Sequence, residues 1–537
     1  MKVSSIVAFS GLFLLPPAAA LVPLKFINDC VNFATGFANE NTEVLSSTYV
    51  LKGTVIPLPD SCTLAVTARA NFCRVKLKVT TSSSSQVITE AWLPTDWKNK
   101  GKRMVMNGNS GWGGCILFED LAWASGLGFA AIGHDTGHVG PVATGFSNPE
   151  VWKDWVYRSV LVATKAGKAA TNHFYNTPLN KSYFIGCSTG GRQALKLAQD
   201  SPDEYDGILA AAPAAYWPNI EVSEAIYAQA VGTEGSPTYL NQAQWEAVDA
   251  ATMAQCDGID GVLDGILENP AQCDFHPELM LCGPGQTWLL NGCLTLAQVQ
   301  TVKKLYAPIY GNHGRYIYPG IVPGAIPSQG MFLKYGPFVG GGPKDFLRYV
   351  VFNDPSYDLV SQFNLDTADL MLDNDWSGAH SNKSDLSGLQ ASGNKLLMYH
   401  GLADVAIPPE ASYRYYNSVS LNMTLPPSGL DSFFRFFPIS SLGHCAGGKG
   451  AGYVGGPSQV QLYPGAADSV PAGNSALMSL VKWVEQNEAP ETLRGYKVGL
   501  LGETLGQKDH CKYPLKMTYK GSGNPNNRGS WKCVKID

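Results

Sequence analysis

Charge is scarce in this chain. Asp, Glu, Lys and Arg make up only 15% of its 537 residues, the formal net charge is −5, and no stretch concentrates Lys and Arg. That excludes the basic surface a nucleic acid or an anionic membrane requires. Close Cys-x-x-Cys pairs and Cys/His clusters with zinc-ligand spacing are also missing. There is no internal repeat and no low-complexity tract, and past the N-terminus no apolar run is long enough to span a bilayer. A small, neutral or weakly charged ligand suits this balance.

Apolar residues are plentiful at 45%, a core-forming composition. The length exceeds one ordinary core and implies a large domain carrying an insertion, or two domains. Met1-Lys2, an apolar run over 6–15 and the stretch Pro16-Pro17-Ala18-Ala19-Ala20 form a secretory signal pattern, residues 1–20, with cleavage near Ala20. The competing reading, a membrane anchor, meets a run too short to span. Export implies an oxidising compartment, and the cysteines number twelve: Cys30, Cys62, Cys73, Cys115, Cys187, Cys256, Cys273, Cys282, Cys293, Cys445, Cys511 and Cys533. An even count in a secreted chain predicts disulfides throughout. Asn180, Asn382 and Asn422 head N-x-Ser/Thr glycosylation acceptors, a pattern that also arises by chance.

Several apolar runs lead into Gly-rich turns and then into helical stretches. Residues 104–106 precede the loop 107–114; 128–132 precede His134-Asp135-Thr136-Gly137-His138; 182–185 precede Gly186-Cys187-Ser188-Thr189-Gly190-Gly191 and a helix over about 192–199. One long helix is expected over 152–175. This alternation predicts an α/β class with a largely parallel sheet covered on both faces. From about 214 to 392 the rhythm stops and four cysteines, Gly/Pro-rich stretches and many aromatics appear; it resumes at 395–400. The expected layout is therefore 21–213 and 393–537 as one catalytic domain, with 214–392 inserted above the C-terminal sheet edge, where ligands bind.

Gly186-Cys187-Ser188-Thr189-Gly190 matches G-x-S-x-G between a strand and a helix. A tight strand-to-helix turn strains the Ser188 backbone and pushes its Oγ off the sheet edge. The Thr189 N–H, at the helix start, then faces a developing oxyanion, with a second donor expected from the loop 107–111. The bland alternative is a Gly-rich turn that binds phosphate or merely turns. Partners in the order Ser, Asp, His are Asp404, just past the run 395–400, and His444, just past the apolar run 433–439. Taken alone, each is more plainly a turn residue or a capped helix start. Cysteines, however, sit directly before Ser188 and directly after His444. A Cys187–Cys445 disulfide, with its Cα atoms about 5.5 Å apart, would bound the Ser188-to-His444 Cα separation at roughly 13 Å. Pairing elsewhere stays open.

These stretches, with Gly186-Cys187-Ser188-Thr189-Gly190-Gly191-Arg192-Gln193, His134-Asp135-Thr136-Gly137-His138, His400-Gly401-Leu402-Ala403-Asp404 and Gly443-His444-Cys445, resemble the tannase/feruloyl esterase family, over essentially the whole mature chain. The resemblance implies an α/β-hydrolase fold with a large inserted lid domain, a secreted serine carboxylesterase acting on phenolic-acid esters through an acyl-enzyme, and a small aromatic ester or feruloylated oligosaccharide as substrate. Feruloyl esterase is favoured over tannase. It also implies the pairings Cys187–Cys445, Cys30–Cys73, Cys62–Cys115, Cys256–Cys273, Cys282–Cys293 and Cys511–Cys533. Insertion aromatics such as Tyr216, Trp217, Tyr310, Phe332 and Tyr335 are candidates for an aryl pocket, or simply lid core.

Between Cys256 and Cys273, three Asp-Gly steps (Asp257, Asp260, Asp264) argue for turns, and clustered carboxylates repel unless solvated or bridged by a hard cation. The spacing is not that of an EF-hand, and a solvated acidic turn is the plainer reading. The family resemblance implies one structural Ca²⁺ held by Asp257, Asp260 and Asp264 with the backbone carbonyls of Val262 and Ile266, and no organic cofactor. A secreted calcium-dependent binding protein on an inactive hydrolase fold is the alternative from another class. The presence of all three triad residue types speaks against it.

Overall fold

The computed structural model describes residues 24–58, 62–140, 143–325, 342–376, 378–463, 465–499 and 501–535. The leader expected over 1–20 lies outside them. Among the described residues nine strands form one mixed sheet: β1 (Thr42–Val50), β2 (Phe72–Thr80), β3 (Gln86–Pro94), β4 (Arg103–Asn107), β5 (Ala130–His134), β6 (Lys181–Cys187), β7 (Gly207–Ala211), β8 (Lys395–Gly401) and β9 (Phe434–Ile439). Their order is β1-β2-β3-β5-β4-β6-β7-β8-β9. The pairs β1/β2, β2/β3 and β3/β5 are antiparallel. All later pairs are parallel. This is the α/β-hydrolase arrangement.

The parallel strands are apolar on both faces because helices cover both. One face carries α2 (Ser159–Tyr175), α3 (Thr189–Asp200) and α7 (Glu410–Asn422); the other carries α1 (Phe118–Gly126) and α8 (Ala476–Gln486). Strand alternation sorts the residues: Met104 and Met106, Leu396 and Met398 enter the first core, while Val105, Leu397 and Tyr399 enter the second.

The expected helix over 152–175 starts earlier, at Pro149, and its turn Asp154–Arg158 is π-helical. A widened turn leaves carbonyls for other donors. Those of Trp155 and Val156 accept from the Arg192 guanidinium at 3.2 and 2.8 Å.

Among the described residues between β7 and β8, no strand is added to the large sheet. This segment holds α4 (Trp217–Val231), α5 (Gln242–Cys256), α6 (Leu296–Tyr306), shorter helices and a small two-stranded hairpin. Asn241 and Thr295 start α5 and α6 with full capping boxes. A third core forms here, built from Ile220, Val222, Leu240, Trp245, Val299, Val302 and Leu305. It continues onto Trp112, Trp152, Trp155, Val405 and Ile407 of the sheet domain, so the segment rests on the C-terminal sheet edge through apolar contact. After α8, strands β10 (Thr492–Val498) and β11 (Thr504–Cys511) pair as an antiparallel ribbon. Among the described residues no helix is long and apolar enough to cross a membrane.

Candidate active site

Ser188 sits between β6 and α3 with φ 63° and ψ −119°, a left-handed conformation that a side chain rarely adopts. The strain is held from several sides. The Ser188 N–H donates to the Ala211 carbonyl at 3.1 Å, and its own carbonyl accepts from Arg192 and Ala214. A Cβ on Gly186 would lie 2.4 Å from the Gly190 carbonyl, so β6 approaches α3 only because residue 186 is glycine, and a Cβ on Gly190 would lie 2.9 Å from the Asn109 carbonyl oxygen, so the loop 107–111 seats on α3 only because residue 190 is glycine too. Ser188 is 9% exposed.

The loop 107–111 is latched onto α3. Gln193 Oε1 accepts the Asn109 N–H at 3.0 Å, and Gln193 Nε2 donates to Asn109 Oδ1 at 3.0 Å. Thr189 Oγ1 donates to the Gly111 carbonyl at 2.8 Å. The Gly108 N–H is committed to the Ile185 carbonyl. With Asn109 also committed, Ser110 and Gly111 are the loop amides left beside Thr189.

Asp404 and His444 leave the ends of the adjacent strands β8 and β9. Their loops touch directly: the Ala403 N–H donates to the Leu442 carbonyl at 2.9 Å, and a Cβ on Gly401 would lie 2.2 Å from that carbonyl oxygen. His444 Nδ1 donates to Asp404 Oδ2 at 2.8 Å. Asp404 is fully buried, and its Oδ1 accepts from the Ala406 and Ile407 amides at 2.9 Å each. Burial alone would raise the Asp404 pKa, but the charge of His444 and the hydrogen bonds from His400 and His444 hold it well below the ordinary carboxylate range. Burial likewise works against an imidazolium at His444, yet the Asp404 charge and hydrogen bond leave its pKa above the ordinary value. Cys187 and Cys445 are bonded, with Cα atoms 5.9 Å apart. The loops that carry Ser188 and His444 are therefore joined covalently. The other expected pairings are present too: Cys30–Cys73, Cys62–Cys115, Cys256–Cys273, Cys282–Cys293 and Cys511–Cys533.

His134 and Asp135 are buried beside this loop rather than exposed to a ligand. Burial lowers the His134 pKa to about 3 and raises that of Asp135 to about 7. Asp135 Oδ1 accepts the Ile88 and Gly137 amides, and the His134 carbonyl accepts from Asn109 Nδ2, so the motif braces the loop 107–111. Of the candidate aryl residues, Trp217 is buried in a cluster with Trp112 and Trp155, while Tyr310 is 57% exposed. Phe332 and Tyr335 lie outside the described residues.

Three residues of the quoted motifs carry a part that their sequence context does not announce. Arg192 is fully buried with its guanidinium 4.4 Å from the Trp155 ring; Gln193 forms the latch. His400 is the third. An Arg-Gln pair one turn into a helix looks solvent-facing by type, and only the adjoining glycines hint that this turn is packed.

The acidic loop is closed by the Cys256–Cys273 bond. Asp257 accepts the Gly265 and Ile266 amides, and Asp260 accepts those of Val262 and Glu268. Asp264 Oδ1 is buried with no partner. Burial raises the Asp264 and Asp260 pKa values, and the neighbouring carboxylates add to the rise. Among the described residues no three carboxylate, His or Cys side chains converge as a metal cluster by themselves. A hard cation here needs backbone oxygens as well, which Val262 and Ile266 carry in the same loop; the orphaned Asp264 oxygen and the all-oxygen donor set fit such an ion.

The family model described as "Tannase and feruloyl esterase" matches residues 73–534. The chain is 39% identical over 531 residues to "Probable feruloyl esterase B-2" of Aspergillus oryzae, covering 97% of this chain and 98% of that protein. It is 38% identical over 523 residues to "Probable feruloyl esterase B" of Emericella nidulans, covering 96% and 97%. The crystal structure of feruloyl esterase B from Aspergillus oryzae superposes with a TM-score of 0.88 at 36% identity, over 95% of this chain and 100% of that one. Tannin acyl hydrolase from Aspergillus niger shares the fold, with a TM-score of 0.74 at 21% identity over 96% of each chain. The chain belongs to the tannase and feruloyl esterase family.

Proposed function

We propose that this protein is a secreted serine carboxylesterase that hydrolyses phenolic-acid esters, with feruloylated plant cell-wall saccharides as its substrate class. The observation that carries the reading is the constellation of a strained Ser188, a hydrogen-bonded Asp404–His444 pair and the Cys187–Cys445 bond that joins the two loops. His444 takes the Ser188 proton as Oγ attacks the ester carbonyl. The Thr189 N–H and an amide of Ser110 or Gly111 hold the tetrahedral oxyanion. Asp404 fixes the imidazole tautomer, with the proton on Nδ1, and stabilises the imidazolium. His444 then protonates the leaving alcohol, and water releases the acid by the reverse sequence.

Ferulate is favoured over gallate by the relatives, whose names say feruloyl esterase B at 38–39% identity. The test compares initial rates on methyl ferulate, methyl caffeate and methyl gallate, with Ser188→Ala as the blank. Cinnamate turnover without gallate turnover is expected, with Ser188→Ala slower by about four orders of magnitude or more. Gallate turnover would make the chain a tannase. Undiminished Ser188→Ala would end the scheme.

The loop 257–268 is further proposed to hold one structural Ca²⁺ through Asp257, Asp260, Asp264 and the Val262 and Ile266 carbonyls. When bound, the ion supplies charge neutralisation for the carboxylates. EDTA is expected to lower the melting temperature while leaving kcat of the still-folded enzyme unchanged; a melting curve indifferent to chelator in verified metal-free protein would refute it. Secretion is supported by the disulfides and by the sequons, of which Asn180 and Asn422 are exposed and Asn382 half-buried.

A further inference from the structure

His400 closes β8 and is fully buried, four residues before Asp404. Its Nε2 lies 2.8 Å from the Ile407 carbonyl and 3.2 Å from Asp404 Oδ2. A carbonyl only accepts, so Nε2 carries the proton and donates to both oxygens. Nδ1 lies 2.7 Å from the Ser412 hydroxyl, which donates to it from the first turn of α7. The ring is therefore fixed at both ends, by a helix on one side and by the triad carboxylate on the other. Asp404 Oδ2 in turn accepts from two histidines, His444 at 2.8 Å and His400 at 3.2 Å. With its Oδ1 filled by two amides, the carboxylate has a fixed rotamer and a single open direction, toward His444.

We propose that His400 is a positioning residue of the triad, holding Asp404 in the orientation His444 needs and taking no part in substrate contact. The inference rests on the triad reading above. Removing the imidazole leaves the buried carboxylate one donor short at Oδ2, which loosens the Asp404–His444 bond at the moment the imidazolium forms.

The test uses the full secreted chain and methyl ferulate, or whichever ester the substrate panel selects. His400→Leu is expected to lose about ten- to a hundredfold in kcat with KM nearly unchanged, the loss of one hydrogen bond to a charged group. His400→Gln places an amide N–H near the old Nε2 and an acceptor for Ser412, and should recover most of that loss. Equal kcat in His400→Leu and the unmodified enzyme, or equal losses in the Leu and Gln variants, would overturn the proposal. Should His400→Leu fail to fold, Ser412→Ala decides: it keeps the imidazole but removes its orienting donor, and unchanged kcat there would overturn the proposal as well. Ser188→Ala is run alongside. If it is inactive while the His400 variants are normal, only this inference falls; if it is active, the triad reading itself falls.

Discussion

At the scale of single residues, His444 is pulled two ways. Burial favours the neutral ring, and the Asp404 carboxylate favours the imidazolium; the carboxylate prevails, so the pKa lies above its ordinary value. As general base the ring must be neutral. The acid limb of kcat/KM should therefore fall above about pH 6.5, the unperturbed imidazole value, and shift downward when Asp404 is replaced by Asn. A pH–rate profile on a non-titrating ester measures this; a limb at or below the unperturbed value would show that the pair does not carry the base. The strained turn at Ser188 and its covalent tie to the His444 loop were legible in the sequence because their demands are local: an elbow needs small neighbours, and the flanking cysteines tie two distant loops together. His400 was not. A histidine at the end of a strand has the same local signature whether it meets solvent, a metal or a carboxylate, and only the fold of the following loop decides.

At the scale of elements, the inserted segment is held by more than its apolar base. Glu268, at the end of the acidic loop, pairs with Lys508 of β11, with side chains 2% and 4% exposed. Lys508 Nζ also stands 3.9 Å over the Trp531 ring. The C-terminal ribbon thus clasps the insertion through a buried charge pair. Lys508→Met strands Glu268 and should cost about 3–5 kcal/mol in unfolding free energy, while the double change with Glu268→Met should recover much of it. Burial raises the Glu268 pKa despite the lysine. The lone carboxyl can then take up a proton, so the cost should be smaller at pH 5 than at pH 8. Denaturant melts of the two variants check this, and a cost that fails to diminish toward acid would mean that Glu268 finds another partner. No pattern in sequence announces such a clasp, since its halves lie 240 residues apart and each reads as surface charge. The strands and helices themselves were readable from apolar runs and turn glycines. The π turn at Asp154–Arg158 was not, because the Arg192 guanidinium that fills its carbonyls arrives from another helix.

The molecule as a whole carries little charge, and several of its acids are buried. Burial lifts Asp120 and Asp135 to about 7 and Glu224 to about 8, and Glu221 rises as well. In an unfolded chain these groups titrate near pH 4. Their folded pKa values are raised, so the stability they contribute is fully present below about pH 4 and is lost as pH climbs through about 7 to 8. His444, also raised, acts in the same direction over the upper part of this window. Asp404 acts oppositely, but its depressed pKa confines that loss to strong acid. Burial lowers the pKa values of His134, His138, His380 and His510, and these act oppositely below about pH 6.5, so the raised acids dominate between pH 7 and pH 8, and the melting temperature should fall across that interval. Asp260 and Asp264 belong to the same set, and a bound cation would hold them ionised at no such penalty. The fall should therefore be steeper in EDTA than in millimolar calcium. Melting curves between pH 7 and pH 8 with and without calcium decide both points: a midpoint that rises with pH there would show that the buried acids do not govern stability in this range, and parallel slopes would remove the ion from the loop.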